Sequence, residues 1–340
     1  MQNSQTVVPG SLARTSPWAA QDTRLLLRME NRPMLDLMLG VCGMGFLCAM
    51  AAGAGARLQT HAGWKTVVLA LAMMTAVMGA YMRWLWDRPL LIQLLPFSNA
   101  IILGNWPPIV GAFFVGVCLR TVQVARIRRL LLSATLSCLC AYSLVSPLLG
   151  HAPECGAAEV SGRMLEFQTT PQTCSAACAA GFLRLHGIPA TEEEMAGLCL
   201  TRRGTHWLGV FRGLKLKTAN TEWDVVVEEV RPDELTQRVN PPGILAMTFT
   251  QVSAANSLES GFVADIGHTV VCLGTSRWET LEVFDPSPDF GFESWNDRIL
   301  ADVDSGILLR LVSRNGTPSP LQNVDTQRPS TWNERQIASR

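Results

Sequence analysis

The sequence predicts a helical transmembrane region followed by an α+β domain in which helices come first and an antiparallel sheet comes afterwards. The first 150 residues contain long uncharged stretches, whereas the second half shows helix signals and then a series of strand signals. Helices followed by strands favour segregated layers over a doubly wound parallel sheet. The predicted parts are a polar tail (1–33), a transmembrane region (34–150), the α+β domain (155–312) and a disordered tail (313–340).

Four stretches are apolar enough to cross a membrane. Uncharged runs of 20, 17, 31 and 24 residues follow Asp36, Lys65, Arg88 and Arg129. A bilayer core takes about 20 apolar residues per helix, so spans are predicted at roughly 35–56, 66–86, 89–119 and 130–150. The alternative of a large buried helical core needs polar faces that these runs lack. A cleaved signal ending at "AAGAGAR" is a second alternative, but the charged leader of about 33 residues is too long for one.

The third span is irregular and decides the topology. Pro107 and Pro108 break a helix, and backbone freed at membrane depth must be shielded by protein, so 89–119 is predicted to be kinked or re-entrant. The basic cluster between Arg120 and Arg129 is expected in the cytoplasm, as are Arg83 and the tail. A re-entrant third span satisfies all three and places the second half outside the cytoplasm.

Composition excludes some partners and constrains the cysteines. The formal net charge is zero, which gives no indication of a nucleic-acid partner. Half of the ten cysteines lie in the apolar stretches, where free cysteine behaves as a small hydrophobe. The other half are Cys155, Cys174, Cys178, Cys199 and Cys272. Their number is odd and their spacing fits no zinc motif, so at least one unpaired thiol is expected, with no metal or cofactor.

The second half shows three helices before its strands. The first begins at Thr173 or Cys174 and stops at Gly187. Thr191 opens a capping box, and apolar residues recur at helical spacing from Trp207. Strand signals follow in "WDVVVEEV", "GILAMTF", "HTVVCLG", "TLEVFDP" and "GILLRLV".

Cys174 is the candidate nucleophile. A thiol attacks as its thiolate, and the first turn of a helix supplies unpaired N–H groups and a positive dipole end that stabilise negative charge. The Cys174 N–H would face the oxyanion of an attacked carbonyl, and an amide is a suitable second donor. Gln168 is the candidate, because the intervening "TTPQT" is a loop that can fold back.

His268 is the candidate base. His61 and His151 lie near predicted spans, His186 is too far along the helix from Cys174, and His206 is not constrained. An antiparallel hairpin around Thr275–Trp278 predicts that His268 faces Asp285. Directly opposed side chains have Cβ atoms about 5 Å apart, which suits a carboxylate that orients an imidazole.

These residues resemble a known family. Residues 164–286 are similar to papain-like cysteine peptidases, and most to the family that trims double-glycine leader peptides from bacteriocins at exporters. In that family a glutamine stands six residues before the cysteine, followed by "H-aliphatic-V-V" and an aspartate before proline; here these are Gln168, Cys174, His268 with "TVV", and Asp285–Pro286. The resemblance implies a nucleophile (Cys174), a general base (His268), an orienting carboxylate (Asp285) and an oxyanion donor (Gln168), acting on a peptide or protein substrate.

The chain also departs from the family pattern. Ser175 replaces the usual glycine after the cysteine and is expected to narrow the site. No phosphate-binding loop is present, so the exporter's ATPase is absent and any ABC transporter would be a separate partner. The predicted localisation is the lipid bilayer of a bacterial inner membrane, with the peptidase domain extracytoplasmic.

Four other interpretations stay open. The chain could be a catalytically silent peptide-binding module tethered near a transporter, or an amidase or transpeptidase of the same fold. The cysteine could also be a packing residue with Cys178, or a metal ligand with Cys178 and His206.

Overall fold

The computed structural model describes residues 32–155, 164–238, 242–249, 267–276 and 278–316. The predictions of a polar N-terminal tail and a disordered C-terminal tail lie almost entirely outside these residues. All four candidate site residues lie within them.

The first part of the described chain is helical and apolar. Its helices are α1 (Arg32–His61), α2 (Trp64–Trp84), α3 (Leu90–Leu94), α4 (Ala100–Leu103), α5 (Pro107–Arg120) and α6 (Arg126–Val145), with a 3-10 turn at Ser146–Leu148. In the described residues, four helical segments are long and apolar enough to span a membrane: Pro33–His61, Trp64–Trp84, Ala100–Arg120 and Arg126–Leu148. Large apolar side chains such as Phe46, Leu69 and Leu131 are exposed on them. Apolar exposure on this scale is unusual for a soluble protein.

Small residues let α1 and α5 approach closely. A Cβ at Gly116 would lie 1.9 Å from the Ala52 carbonyl oxygen, and one at Gly55 would lie 2.2 Å from the Phe113 oxygen. Gly55 belongs to the "AAGAGAR" segment, which lies inside the continuous helix α1. The small residues of that segment therefore have a packing role, as small residues do between closely packed membrane helices.

The third apolar stretch has a break before the prolines. Pro107 begins α5, a position where the missing N–H costs no helical hydrogen bond. The break at 104–106 is shielded, because the Gly104 carbonyl accepts from the Tyr81 hydroxyl and the Asn105 side chain donates to Ser143 O at 2.7 Å. Beyond it, α5 continues beside α6 as far as Cys118, whose thiol is 3.8 Å from Arg129 O. The third apolar stretch thus contains the helices α4 and α5, separated by a shielded break.

The second part contains helices and then an antiparallel sheet. Helices α7 (Cys174–Leu185), α8 (Glu192–Leu198) and α9 (Trp207–Thr218) come first. They are followed by β1 (Trp223–Val230), α10 (Pro232–Arg238), β2 (Gly243–Phe249), β3 (Gly267–Thr275), β4 (Leu281–Asp285), β5 (Gly291–Trp295), α11 (Asp297–Leu300) and β6 (Val303–Ser313). Within the described residues the sheet has six strands in the order β1-β6-β2-β3-β4-β5, and every pair is antiparallel. Helices therefore precede the sheet, as the sequence predicts.

Local signals explain the helix boundaries. The Thr191 hydroxyl accepts from the Glu194 N–H at 3.1 Å and caps α8, while the Glu194 carboxylate accepts from Lys217 at 2.8 Å. Gly187 has φ of +74°, a conformation that ends α7 at little cost for glycine. The sequence therefore sets where α7 ends and α8 begins.

The two faces of the sheet bury separate cores. One core packs α7, α8 and α9 on the sheet and includes Leu91, Ile92 and Ala100 from the apolar region. The other core lies on the opposite face, under Leu235 of α10 and Leu300 of α11. The apolar region and the α+β domain thus share buried surface.

Polar contacts strengthen this junction. Arg212 of α9 is fully buried, lies 3.3 Å from the Asp36 carboxylate and donates to Pro33 O at 2.9 Å. Asp87, which follows α2, accepts from the Trp207 indole. The start of α1 and the end of α2 are therefore fixed to α9.

Candidate active site

The site begins at the first residue of α7. The Thr173 hydroxyl donates to Thr170 O at 2.9 Å, and Thr173 O accepts the Ala177 N–H at 2.9 Å, so Thr173 ends the loop and Cys174 opens the helix. No hydrogen bond links the Cys174 N–H to another described residue. Cys174 is partly buried. The thiol therefore stands at the positive end of the helix, beside an unengaged backbone donor.

His268 lies between this thiol and a carboxylate. Its Nε2 is 2.7 Å from Asp285 Oδ2, and its side chain also interacts with the Cys174 thiol, whose pKa it lowers. Asp285 is fully buried, and its Oδ1 accepts the Ser287 N–H at 2.7 Å. Since the carboxylate only accepts, Nε2–H donates to it and Nδ1 is the ring nitrogen left for the sulfur.

The strand register that brings His268 and Asp285 together differs from the predicted one. Val271 faces Phe284 and Cys272 faces Val283, with a bulge before Gly274. Continuing this register places Asp285 opposite Val270, so the prediction that it faces His268 directly is wrong by two residues. A shift of two keeps both side chains on one face of the sheet. Diagonal neighbours about 7–8 Å apart are within reach of an imidazole.

The turn explains the shift. Residues 276–280 connect the strands; Ser276 N–H donates to Thr280 O at 2.9 Å, and Glu279 has φ of +59°. The connection is longer than the predicted turn at Thr275–Trp278. The longer turn shifts the pairing by three residues at Thr275, and the bulge at Leu273 takes up one residue of β3, so the shift at Asp285 is two.

His268 and Cys174 shift each other's pKa values, and Asp285 contributes to the shift of His268. Burial alone would lower the pKa of His268, but its hydrogen bonds with Asp285 and Cys174 and their negative charges raise it to about 10. Burial alone would raise the pKa of Cys174, but the hydrogen bond and charge of His268, with hydrogen bonds from Ser175, lower it below 9.0. These directions favour a thiolate–imidazolium pair over two neutral groups.

The neighbouring Cys178 provides a contrast. It is fully buried one helical turn from Cys174, and its thiol is 3.3 Å from Thr269 O. Burial, and then the negative charges of Cys174 and Asp285, raise its pKa well above 9.0. A thiol in this state is unreactive.

Gln168 lies in a loop that is held beside the carboxylate. Its N–H donates to Pro286 O at 2.7 Å, and the next N–H, that of Thr169, donates to the Glu192 carboxylate at 2.9 Å. The loop thus folds back towards the end of β4. The Gln168 Oε1 atom is buried and has no hydrogen-bond partner among the described residues. A buried amide without partners has capacity for a ligand.

Ser175 does not narrow the opening beside the sulfur. Its side chain is buried and its oxygen lies 2.8 Å from the Thr269 hydroxyl on β3. The expectation that Ser175 narrows the site is therefore wrong, because the side chain points into the interior.

Glu293 of β5 is a site neighbour that the sequence did not indicate. Burial raises its pKa, and it interacts electrostatically with Asp285 and His268. Its carboxylate accepts from the Trp295 indole at 2.8 Å. The segment that carries it is short and half polar, which is why the strand signal was missed.

Two of the other histidines, His186 and His206, have structural partners. His186 Nδ1 is 2.9 Å from Phe182 O, and His206 Nε2 is 3.1 Å from Asp87. In the described residues, no group of three or more histidine, cysteine or acidic side chains could hold a metal ion. Cys178 faces Thr269 O, so the alternative metal site with His206 has no geometric support.

Comparisons with known proteins are limited to distant structures. No protein-family model matches the sequence, and no curated protein is significantly similar to it. The peptidase domain of Streptococcus ComA, a bi-functional ABC transporter involved in quorum sensing, is 16% identical over 44% of this chain and 98% of that chain, with a TM-score of 0.34. A double glycine motif protease from an AMS/PCAT transporter, in complex with the leader peptide, is 17% identical over 48% of this chain and 94% of that chain, with a TM-score of 0.33. The peptidase domain of Streptococcus mutans ComA is 16% identical over 43% and 98% of the two chains, with a TM-score of 0.28. Likenesses this weak show neither a family nor an activity for this chain.

Proposed function

We propose that this chain is a membrane-anchored cysteine peptidase of papain-like fold. The observation that carries the proposal is one imidazole, that of His268, which is joined on one side to the Cys174 thiol and on the other to the buried Asp285 carboxylate. A thiol beside a base, with the base held in turn by an acid, is the arrangement found in thiol peptidases. The sequence motif from Gln168 to Pro286 supports the same activity independently.

In the acylation step the Cys174 thiolate attacks the carbonyl carbon of a peptide bond. The oxyanion that forms is stabilised by the Cys174 N–H and by the side-chain amide of Gln168. His268 then donates its proton to the departing amine, the C–N bond breaks, and a thioester between Cys174 and the acyl part of the substrate remains.

In the deacylation step His268, now neutral, removes a proton from a water molecule that attacks the thioester. The second tetrahedral intermediate collapses to a carboxylic acid product, and the sulfur leaves as a thiolate beside the reprotonated imidazole. Asp285 holds the ring through Nε2 in both steps and stabilises the imidazolium charge. The cycle needs no cofactor.

The oxyanion role of Gln168 is supported by its loop. The Gln168 N–H bond to Pro286 O fixes the loop beside the residue that follows Asp285. The unpartnered Oε1 can only accept, so the donor for the oxyanion is the NH₂ group of the same amide. The amide must present its NH₂ group to the oxyanion.

The helical region is proposed to anchor the peptidase in a bacterial inner membrane. The end of the bundle farthest from the α+β domain carries only basic charge, from Arg57, Lys65, Arg120, Arg126, Arg128 and Arg129. The positive-inside rule then assigns this end to the cytoplasm and the peptidase domain to the other side. A phosphatase reporter that folds only outside the cytoplasm should be active after residue 340 and inactive when inserted at 122–124; the reverse pattern would overturn this topology.

A peptide or protein substrate follows from the chemistry. The motif resemblance adds a leader peptide as the substrate class and a separate ABC transporter as partner, since this chain lacks a phosphate-binding loop.

The test compares Cys174→Ala with Cys178→Ala in the full-length chain. We expect Cys174→Ala to abolish cleavage, read as the loss of a new N-terminus in a proteomic comparison of cells, and Cys178→Ala to retain it. Cleavage by Cys174→Ala at the wild-type rate would overturn the mechanism. Fast alkylation of Cys174 without any cleavage would favour the peptide-binding alternative.

A further inference from the structure

Two hydroxyl side chains lie directly behind the catalytic pair. Ser175 follows Cys174 on α7, and Thr269 follows His268 on β3. Both side chains are buried, and their oxygens are 2.8 Å apart.

Thr269 is tied to α7 at a second point. Its carbonyl oxygen is 3.3 Å from the Cys178 thiol, one helical turn beyond Cys174. The start of α7 and the start of β3 are therefore joined by two buried polar contacts that both involve Thr269. Buried contacts of this kind restrict the distance between the residues that precede them, Cys174 and His268.

Counting protons fixes the direction of the hydrogen bonds when the sulfur is ionised. The Ser175 oxygen is 3.9 Å from the Cys174 sulfur. A thiolate can only accept, so the Ser175 hydroxyl must donate to it. Since a hydroxyl has one proton, the Ser175–Thr269 bond must then be donated by Thr269. The result is a chain from Thr269 through Ser175 to the sulfur.

We infer that Ser175 and Thr269 are positioning residues, whose hydroxyl chain holds the Cys174 thiolate against the His268 imidazole. The inference deepens the proposed function and rests on Cys174 being its nucleophile. The titratable groups around the sulfur and the imidazole are Cys178 on α7, Asp285 on β4 and Glu293 on β5. Removing either hydroxyl leaves all of them in place.

The experiment measures the rate at which iodoacetamide alkylates Cys174 as a function of pH. The full-length chain in detergent is used, and the modified residue is read by peptide mass spectrometry. We expect Ser175→Ala and Thr269→Val each to raise the apparent pKa of the thiol by about 0.5 to 1 unit, because one hydrogen bond to the charged form is lost. The rate at pH 7 should fall about three- to tenfold.

Two controls distinguish the effect of losing a hydroxyl in this chain from a general effect on folding. Thr269→Ser keeps the hydroxyl and should restore the wild-type profile. Thr201→Val removes another buried hydroxyl, which is bonded to Thr205 at 2.7 Å, and should leave the profile unchanged. The double variant Ser175→Ala/Thr269→Val should be no slower than the slower single variant, since one chain is broken in each case.

A wild-type profile in both Ser175→Ala and Thr269→Val would overturn the inference, and so would an equal shift in Thr201→Val. Neither result depends on peptide cleavage. The proposed function fails on a different observation, namely that Cys174→Ala still cleaves or that wild-type Cys174 reacts no faster than a free thiol.

Discussion

Replacing Asp285 by asparagine removes a charge from the site while keeping the side-chain shape. The Asp285 carboxylate is fully buried, accepts from His268 Nε2 at 2.7 Å and from the Ser287 N–H at 2.7 Å. Asparagine still has an oxygen for Ser287, but it then turns an NH₂ group towards Nε2. The imidazolium therefore loses both its acceptor and its counter-charge, and the fold around the strand end is retained.

The magnitude follows from the pKa of His268. Among the interactions that raise it to about 10, the hydrogen bond with Asp285 comes first. A hydrogen bond to a charged group contributes about 1.5–3 kcal/mol, and one pKa unit corresponds to about 1.4 kcal/mol. Asp285→Asn should therefore lower the pKa of His268 by about one to two units. An imidazolium with a pKa of about 8 to 9 is still protonated at pH 7, so activity there should stay close to wild type, whereas at pH 10 it should fall about 5- to 50-fold.

The pH profile carries the sign of this effect. A raised histidine pKa means that the imidazolium is present below it and is lost as pH rises through about 10. A lowered thiol pKa means that the thiolate is lost as pH falls through that value. The wild-type profile of kcat/KM for peptide cleavage should thus have an alkaline limb near pH 10, where the imidazolium that protonates the leaving amine is lost, and Asp285→Asn should move this limb down to about pH 8 to 9.

The assay follows kcat/KM for peptide cleavage as a function of pH, with alkylation at Cys174 by mass spectrometry as the second readout. Asp304→Asn removes an exposed carboxylate on β6 and serves as the matched control. An alkaline limb that stays near pH 10 in Asp285→Asn would refute the coupling between the carboxylate and the imidazole.

Three other predictions test the rest of the structure. Gln168→Ala should lower kcat about 10²- to 10³-fold while leaving alkylation of the nucleophile unchanged, because alkylation forms no oxyanion; equal losses in both assays would contradict the oxyanion role. Arg212→Met should lower the free energy of unfolding in detergent by about 3–5 kcal/mol, because it leaves the Asp36 carboxylate without its charged partner. Adding Asp36→Asn should recover part of this loss, whereas additive losses in the double variant would count against the ion pair. Gly116→Ala should lower the melting temperature, since its Cβ would lie 1.9 Å from a carbonyl oxygen of α1. The control Gly79→Ala, whose Cβ would have no atom within 4 Å, should leave the melting temperature unchanged. Similar melting temperatures in the two variants would exclude the close contact.

The regular elements near the site could be predicted because their signals are local. The start of α7 at Cys174 and the glycine stop at Gly187 are confirmed, as are the Thr191 cap and the exact run of β1. Alternating or helical apolar spacing and capping residues act over a few positions, so one sequence contains them in full.

The parts that could not be predicted depend on distant partners. β5 and α11 are short and polar, and their apolar residues find their core only against neighbouring strands. The register of β3 and β4 depends on a bulge and on a left-handed Glu279, neither of which has a strong sequence signal. The face of the sheet was nevertheless right, because an error of two residues preserves the alternation of side chains.

The contacts between the helical region and the α+β domain could not be predicted from sequence patterns either. Arg212 lies within an otherwise apolar helix face, and nothing near it in the chain indicates that its partner is Asp36. The same holds for Ser175 and Thr269, which are 94 positions apart and meet only in the folded chain. Side-chain pairs of this kind need the tertiary structure.

The buried pairing of Arg212 with the first helix has a consequence for how the proposed active site is presented to a substrate. A domain that shares buried surface with the helical region does not move freely on a tether, so the proposed active site keeps a fixed distance and orientation relative to the helices. A polypeptide substrate must therefore reach the proposed active site at a fixed distance from the bilayer. A fragment that begins after residue 155 would lack the helical surface against which the α+β domain packs. Its proposed active site would then have no fixed position relative to the bilayer.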